Sequence, residues 1–146
     1  MTRDSDENSA KLARKFIESL PHARALGIVA VAMGGGEAKF CLPWREDLVG
    51  DPETGVLHGG AVSALMDTCG GAAVMSHPLA ALGTATLDLR IDYMRPATKG
   101  QTVTAHAECY NVTRSVAFIR ATATDDDPTR PVATAAGAFT FKKKTT

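Results

Sequence analysis

Apolar side chains recur along this chain at two spacings, and the places where the spacing changes mark its elements. Leu12, Phe16, Ile17 and Leu20 repeat at helical intervals, which predicts a helix from Ser9, capped by Ser9 and ended by Pro21. Residues 1–8 before it are polar and charged and read as a frayed lead. The stretches A-L-G-I-V-A-V-A-M and E-A-K-F-C-L-P flank Gly34, Gly35 and Gly36, as two strands joined by a glycine hairpin would. Pro43 to Val56 contains Pro43, Gly50, Pro52 and Gly55 and reads as a long loop, of a length that usually serves function.

Gly59 to Met75 forms one continuous helix by pattern. Beyond it the period drops to two: Leu87, Leu89, Ile91 and Tyr93 alternate with Thr86, Asp88, Arg90 and Asp92. Pro96 and Gly100 mark a turn, and the strand T-V-T-A-H-A-E-C-Y follows. A turn at Asn111 to Thr113 leads to the strand V-A-F-I-R-A-T-A-T, and D-D-D-P-T-R-P leads to the last strand, V-A-T-A-A-G-A-F-T-F. The lysines Lys142 to Lys144 read as a solvated end. Hairpin-length connections late in the chain imply antiparallel pairing. The predicted fold is α+β, a six-stranded antiparallel sheet wrapped around one apolar helix, with an N-terminal helix, in a single domain over residues 9–146.

Composition narrows the function classes. The 146 residues carry sixteen basic and sixteen acidic side chains, so bulk charge implies no nucleic-acid partner. An anionic ligand would have to be held by local basic groups. Cys41, Cys69 and Cys109 are odd in number and widely spaced, which fits neither a disulfide framework nor a paired metal site. They read as small buried hydrophobes in a reducing, cytoplasmic setting. The opening M-T-R-D-S-D-E-N-S has no apolar signal core, and no run of apolar residues is long enough to predict a membrane span.

The central helix carries the strongest chemical signal. Apart from the Cys69 thiol, Asp67 is the one ionisable group between His58 and His77. A helix this apolar is buried on most sides, and a carboxylate there needs a partner. Gly60, Ser63, Ala64, Gly70, Gly71 and Val74 share the Asp67 face and are mostly small, so a neighbouring backbone or a ligand can come close. Two readings stand: a buried carboxylate that ties the helix to its surroundings, or a general base or nucleophile. Gly59 and Gly60 open the helix, where free amides at the positive end of the dipole can hold negative charge on an oxygen; a tight turn is the plainer use. His58 is read as bracing that turn. Gly59 and Asp67 are eight residues apart, about 12 Å along a helix. If both act on one bond, they come from different protomers, at a two-fold interface.

The segment V-L-H-G-G-A-V-S-A-L-M-D-T-C-G-G-A-A resembles the H-G-G…D signature of the hotdog thioesterases of the phenylacetate-degradation, PaaI-like type. L-D-L-R-I-D-Y-M-R-P-A-T-K-G is similar to that family's following strand and turn, and the resemblance runs from about Leu26 to Phe141. It implies a hotdog fold, homodimers joined sheet edge to sheet edge and often paired into homotetramers, and hydrolysis of acyl-CoA thioesters with no metal or cofactor. By position it implies Asp67 as the catalytic acid, the Gly59 amide as the group that polarises the thioester carbonyl, His58 as the brace and Thr86 as the group that orients water. Where the family commonly has an Asn shortly before its histidine, this chain has Asp51, which cannot donate an amide hydrogen bond. Asp51 either fills that role differently or simply starts the turn at Pro52.

For CoA the resemblance implies the turn with Tyr93, Met94, Arg95 and Pro96 and the turn with Asn111, Thr113, Arg114 and Ser115, with Arg95, Lys99 and Arg114 as the local cations. The expected activity is therefore acyl-CoA or aryl-CoA hydrolysis. The alternatives are a hotdog hydratase or dehydratase, which generally needs a catalytic histidine facing a carboxylate, and a non-catalytic acyl-CoA or lipid-binding protein on the same scaffold.

Overall fold

The structure is a computed structural model that describes residues 2–80 and 83–145. It opens with helix α1 (Thr2–Glu18), which starts before the Ser9 position read from sequence. Ser9 does not cap it; its hydroxyl donates to the Met33 carbonyl at 2.9 Å and fastens α1 to the sheet. Ala13 and Ile17 are buried from this helix, and the Phe16 ring lies 5.9 Å from that of Phe40. Pro21 does not merely stop α1. It stands at the start of a short helix α2 (Pro21–Ala25), where the missing N–H costs nothing.

Strands β1 (Val29–Gly34) and β2 (Glu37–Leu42) form the glycine hairpin. Gly35 and Gly36 take φ of 62° and 86°, the left-handed pair that a tight two-residue turn needs. The segment from Pro43 is more folded than a loop. A single 3-10 turn at Glu46–Leu48 leads into a small hairpin of β3 (Val49–Asp51) and β4 (Val56–Leu57). Trp44 Nε1 donates to the Gly55 carbonyl at 2.8 Å, and the His58 amide donates to the Leu48 carbonyl at 2.8 Å. These bonds fix where the next helix begins.

Helix α3 (Gly59–Met75) is the centre of the molecule. It packs on β2, on β6 (Val103–Val112) and on β7 (Val116–Thr124). Leu65, Met66, Cys69, Ala72 and Ala73 are fully buried against them. With β5 (Thr86–Tyr93) and β8 (Ala133–Thr140) the strands form one antiparallel sheet in the order β1-β2-β6-β7-β8-β5. This is the hotdog arrangement that the sequence implied. Among the described residues no strand pairs with the outer edge of β5. On that edge Leu87 and Tyr93 are 58% and 52% exposed, unlike the buried apolar positions of β6 and β7. Among the described residues no helix is long and apolar enough to cross a membrane.

Candidate functional site

The first turn of α3 is braced from three sides. His58 is the helix cap: its Nδ1 accepts from the Gly60 amide at 2.8 Å. A side chain on Gly60 would sit 2.9 Å from that nitrogen, so the brace requires glycine there. From the sheet edge, the Tyr93 hydroxyl donates to the Gly59 carbonyl at 2.8 Å. From within the helix, the Ser63 hydroxyl reaches the same carbonyl at 3.0 Å and makes a short hydrogen bond with the Tyr93 hydroxyl. Gly59 is the first helical residue, so its own N–H has no acceptor in the helix. Gly59 lines a cleft of about 460 Å³ whose walls also include Val56, Val62, Tyr93, Met94 and Pro96.

Asp67 lies further along α3 and lines a different cleft, of about 310 Å³, with Phe16, Leu20, Met75, Thr86 and Phe139. Its Oδ1 accepts from the Thr86 hydroxyl at 2.7 Å, and among the described residues no donor reaches Oδ2. The helix surface around Asp67 is only partly open. Ser63, Ala64 and Thr68 are half-buried, but Gly70, Gly71 and Val74, read from sequence as part of a face for close approach, are buried. At Gly70 the close neighbours are core side chains: an added Cβ would meet Phe139 at 3.1 Å and Ile119 at 3.3 Å.

Asp51 is used by its own hairpin. Its carboxylate accepts from the Glu53 amide at 3.0 Å and the Thr54 hydroxyl at 2.9 Å, which is the turn-starting role. The two turns expected to hold CoA lie at opposite ends of the sheet. Tyr93 pairs with Ala133, which pairs with Ala123, whereas Thr86 pairs with Phe139, which pairs with Ala117 just past the turn at 113–115. Asn111 belongs to β6 rather than to that turn.

Arg95 is not the free cation that the resemblance implied. Its guanidinium makes a two-pronged pair with Asp125, both bonds at 2.7 Å, and also donates to the Arg130 carbonyl. The Asp125 side chain is 1% exposed. The Arg95 pair first, then backbone and hydroxyl donors at Asp127 and Thr98, hold its carboxyl well below the usual carboxylate range, against the opposing effect of burial. Lys99 lays its methylene chain over Gly55. Cys69 is sealed in the core, where burial pushes its thiol up to about 12, so it takes no part in nucleophilic chemistry. Among the described residues no three His, Cys, Asp or Glu side chains gather to hold a metal.

Sequence reasoning missed the Ser63–Tyr93 brace, the Arg95–Asp125 clamp and the cover over the Asp67 cleft from α1 and α2. Only Ser63 left a signal, one helical turn after Gly59. The other contacts join residues about 30 or more positions apart.

Comparison with known proteins agrees with this fold. The thioesterase superfamily model matches residues 54–132. The chain is 28% identical over 130 residues to the medium/long-chain acyl-CoA thioesterase YigI of Escherichia coli K12, covering 78% of this chain and 82% of that one. It superposes on a Pseudomonas aeruginosa crystal structure at 41% identity with a TM-score of 0.79, covering 90% of this chain and 97% of that one. It also superposes on a variant of the phenylacetic acid degradation protein PaaI of Thermus thermophilus, at 29% identity with a TM-score of 0.74, covering 84% and 99%. The chain belongs to the thioesterase superfamily, on the hotdog fold.

Proposed function

We propose that this protein hydrolyses acyl-CoA or aryl-CoA thioesters at a site shared between two copies of the chain. The carrying observation is the split: Gly59 and Asp67 open into separate clefts of one chain, at opposite ends of the uncovered strand β5. A carbonyl within reach of one is out of reach of the other. Antiparallel pairing of two β5 edges about a two-fold axis near the middle of the strand sets Thr86 of each copy beside the partner's Tyr93. Asp67 is then brought towards the partner's Gly59, and both sites are completed at once. The exposed apolar side chains of β5 support such pairing, because an open edge strand is a template for another strand.

The acyl group enters the cleft between the protomers. The Gly59 N–H, at the positive end of α3, donates a hydrogen bond to the thioester carbonyl oxygen and stabilises the charge that develops there. Thr86 holds Asp67 Oδ1, which leaves Oδ2 to take a proton from water as the water oxygen attacks the carbonyl carbon. The carbon–sulfur bond breaks, the CoA sulfur leaves with the electron pair and takes up a proton, and the free acid departs. The hydratase reading needs a catalytic histidine facing a carboxylate; His58 is occupied as a cap, and His22, the histidine that lines the Asp67 cleft among the described residues, is exposed to solvent and makes no hydrogen bond to Asp67.

A thiol-release assay over aliphatic and aryl CoA esters tests the reading. Wild type should release thiol from at least one class, and Asp67→Asn should abolish release while keeping size and thermal midpoint. Normal turnover by Asp67→Asn, or tight acyl-CoA binding without any thiol release by wild type, would overturn it.

A further inference from the structure

The cleft that Asp67 lines continues away from the acid along α3. Asp67, Gly71 and Met75 follow one another at four-residue steps on one helix face, and all three line it. Phe16 of α1 and Leu20 just after it are further walls, as are Thr84 and Phe139. The Thr84 hydroxyl is spent on the Thr140 carbonyl at 2.7 Å, and it is the Thr84 methyl that lies nearest Gly71. Beyond the carboxylate this stretch of the cleft is therefore apolar, with the half-buried Met75 at its end.

The two glycines of α3 beyond Asp67 differ in what they are for. At Gly70 a side chain would press on Phe139 and Ile119. Gly71 is under no such demand, because an added Cβ would meet Phe139 and Thr84 at 3.8 Å, which is ordinary contact. Glycine weakens a helix interior relative to alanine, so its presence at 71 needs another cause. Helical side chains lean towards the N-terminus, and one at this position would lie in the cleft on the Asp67 side. What glycine supplies here is room beside the acid.

The helix also sets a length. Asp67 and Met75 are eight residues apart, about 12 Å along the axis. An extended hydrocarbon chain advances about 1.2 Å per bond, as an extended backbone does, so the groove takes about ten carbons. A single aryl ring would fill the Asp67 end and leave the Met75 end without contact.

Resting on the thioesterase reading, we propose that Gly71 sets acyl specificity: its missing side chain opens a groove from Asp67 to Met75 that takes the tail of a straight, medium-length acyl group. Each methylene laid in the groove leaves water for apolar contact, and the gain stops at Met75.

The test is calorimetric binding of alkyl-CoA thioethers, which cannot be hydrolysed, from ethyl to hexadecyl, beside kcat/KM for the matching acyl esters. Wild-type affinity should rise about fourfold per methylene and level off at about ten carbons. In Gly71→Val the levelling should come at about five carbons, the distance from Asp67 to residue 71. In Met75→Ala it should come later than in wild type. The kcat/KM preference among esters should shift in the same directions. Gly71→Ala guards against a folding defect: it should keep or raise the thermal midpoint, yet lower affinity for the decyl thioether about tenfold relative to the butyl. Thiol release from none of the esters would defeat the thioesterase reading, whereas a plateau that moves with residue 71 would still support the groove. Chain-length profiles identical to wild type in folded Gly71→Ala and Met75→Ala, tighter binding of a benzyl than of a decyl thioether by wild type, or no thioether binding at all, overturns the proposal.

Discussion

The two ends of strand β5 are built in contrasting ways. At the Tyr93 end the polar groups are held many times over: His58 caps α3, Tyr93 and Ser63 share the Gly59 carbonyl, and Arg95 clamps the adjoining turn to buried Asp125. At the Thr86 end, among the described residues, Asp67 has a single hydrogen bond and one open oxygen. The braced end suits a group that must present one N–H in a fixed direction. The open end suits a group that must take a proton from a water molecule. One chain holds one of each, too far apart to share a bond, and in the proposed dimer a second copy on the β5 edge between them completes both.

The largest effect should come from the open end. Asp67→Asn keeps the shape and one hydrogen-bond acceptor but removes the base, so kcat should fall about a thousandfold in a thiol-release assay, with the thermal midpoint unmoved. Nearly as large is the loss of the Gly59 amide. Gly59 is the first residue of α3, where proline is tolerated, and His58 has φ −59° and ψ 135°, which accepts a following proline. Gly59→Pro should cost roughly a hundredfold or more in kcat. Gly59→Ala, whose methyl would meet Tyr93 at an ordinary 3.6 Å, should stay near wild type.

Breaking the clamp tests stability at the braced end. Asp125→Asn leaves Arg95 without its counter-charge and should lower unfolding free energy by about 3 kcal/mol in urea titrations at neutral pH. The pH dependence has a definite sign. The Asp125 carboxyl is held below its unfolded value, so its contribution is complete above about pH 4 and is lost as pH falls further towards the folded value. Wild type should therefore lose more stability than Asp125→Asn on acidification below that point. The smallest effect is at the Tyr93 hydroxyl. Tyr93→Phe keeps the ring and the cleft wall and should lower kcat by about tenfold with KM unchanged, because it loosens the Gly59 peptide without removing a substrate contact. An unaltered kcat would make that brace purely structural.

Period and punctuation carried most of the fold. The alternation of β5, the glycine hairpin and the apolar run of α3 are local patterns, and they stood where expected. The ends of α1 were less legible because its first residues are held by helical bonds that their polarity does not announce. The hairpin at β3 and β4 was hidden because its order comes from Asp51, Gly55 and Trp44 acting on backbone groups. Of the site, Asp67 and Thr86 were singled out through resemblance, Thr86 as a group that orients water, but the hydrogen bond between them and the fate of Arg95 were not foreseen. A guanidinium near a strand end looks the same in sequence whether it waits for a phosphate or is already paired, and Asp125 is 30 residues away.

The account turns on a site assembled from two copies, and mixing inactive variants tests that directly. Asp67→Asn and Gly59→Pro protein would be unfolded together, refolded and assayed for thiol release. Half of randomly mixed dimers carry one copy of each variant, and each such dimer has one intact site, so activity should return to about a quarter of wild type. A mixture as inactive as its parents, with mixed dimers shown to be present, would contradict the shared site.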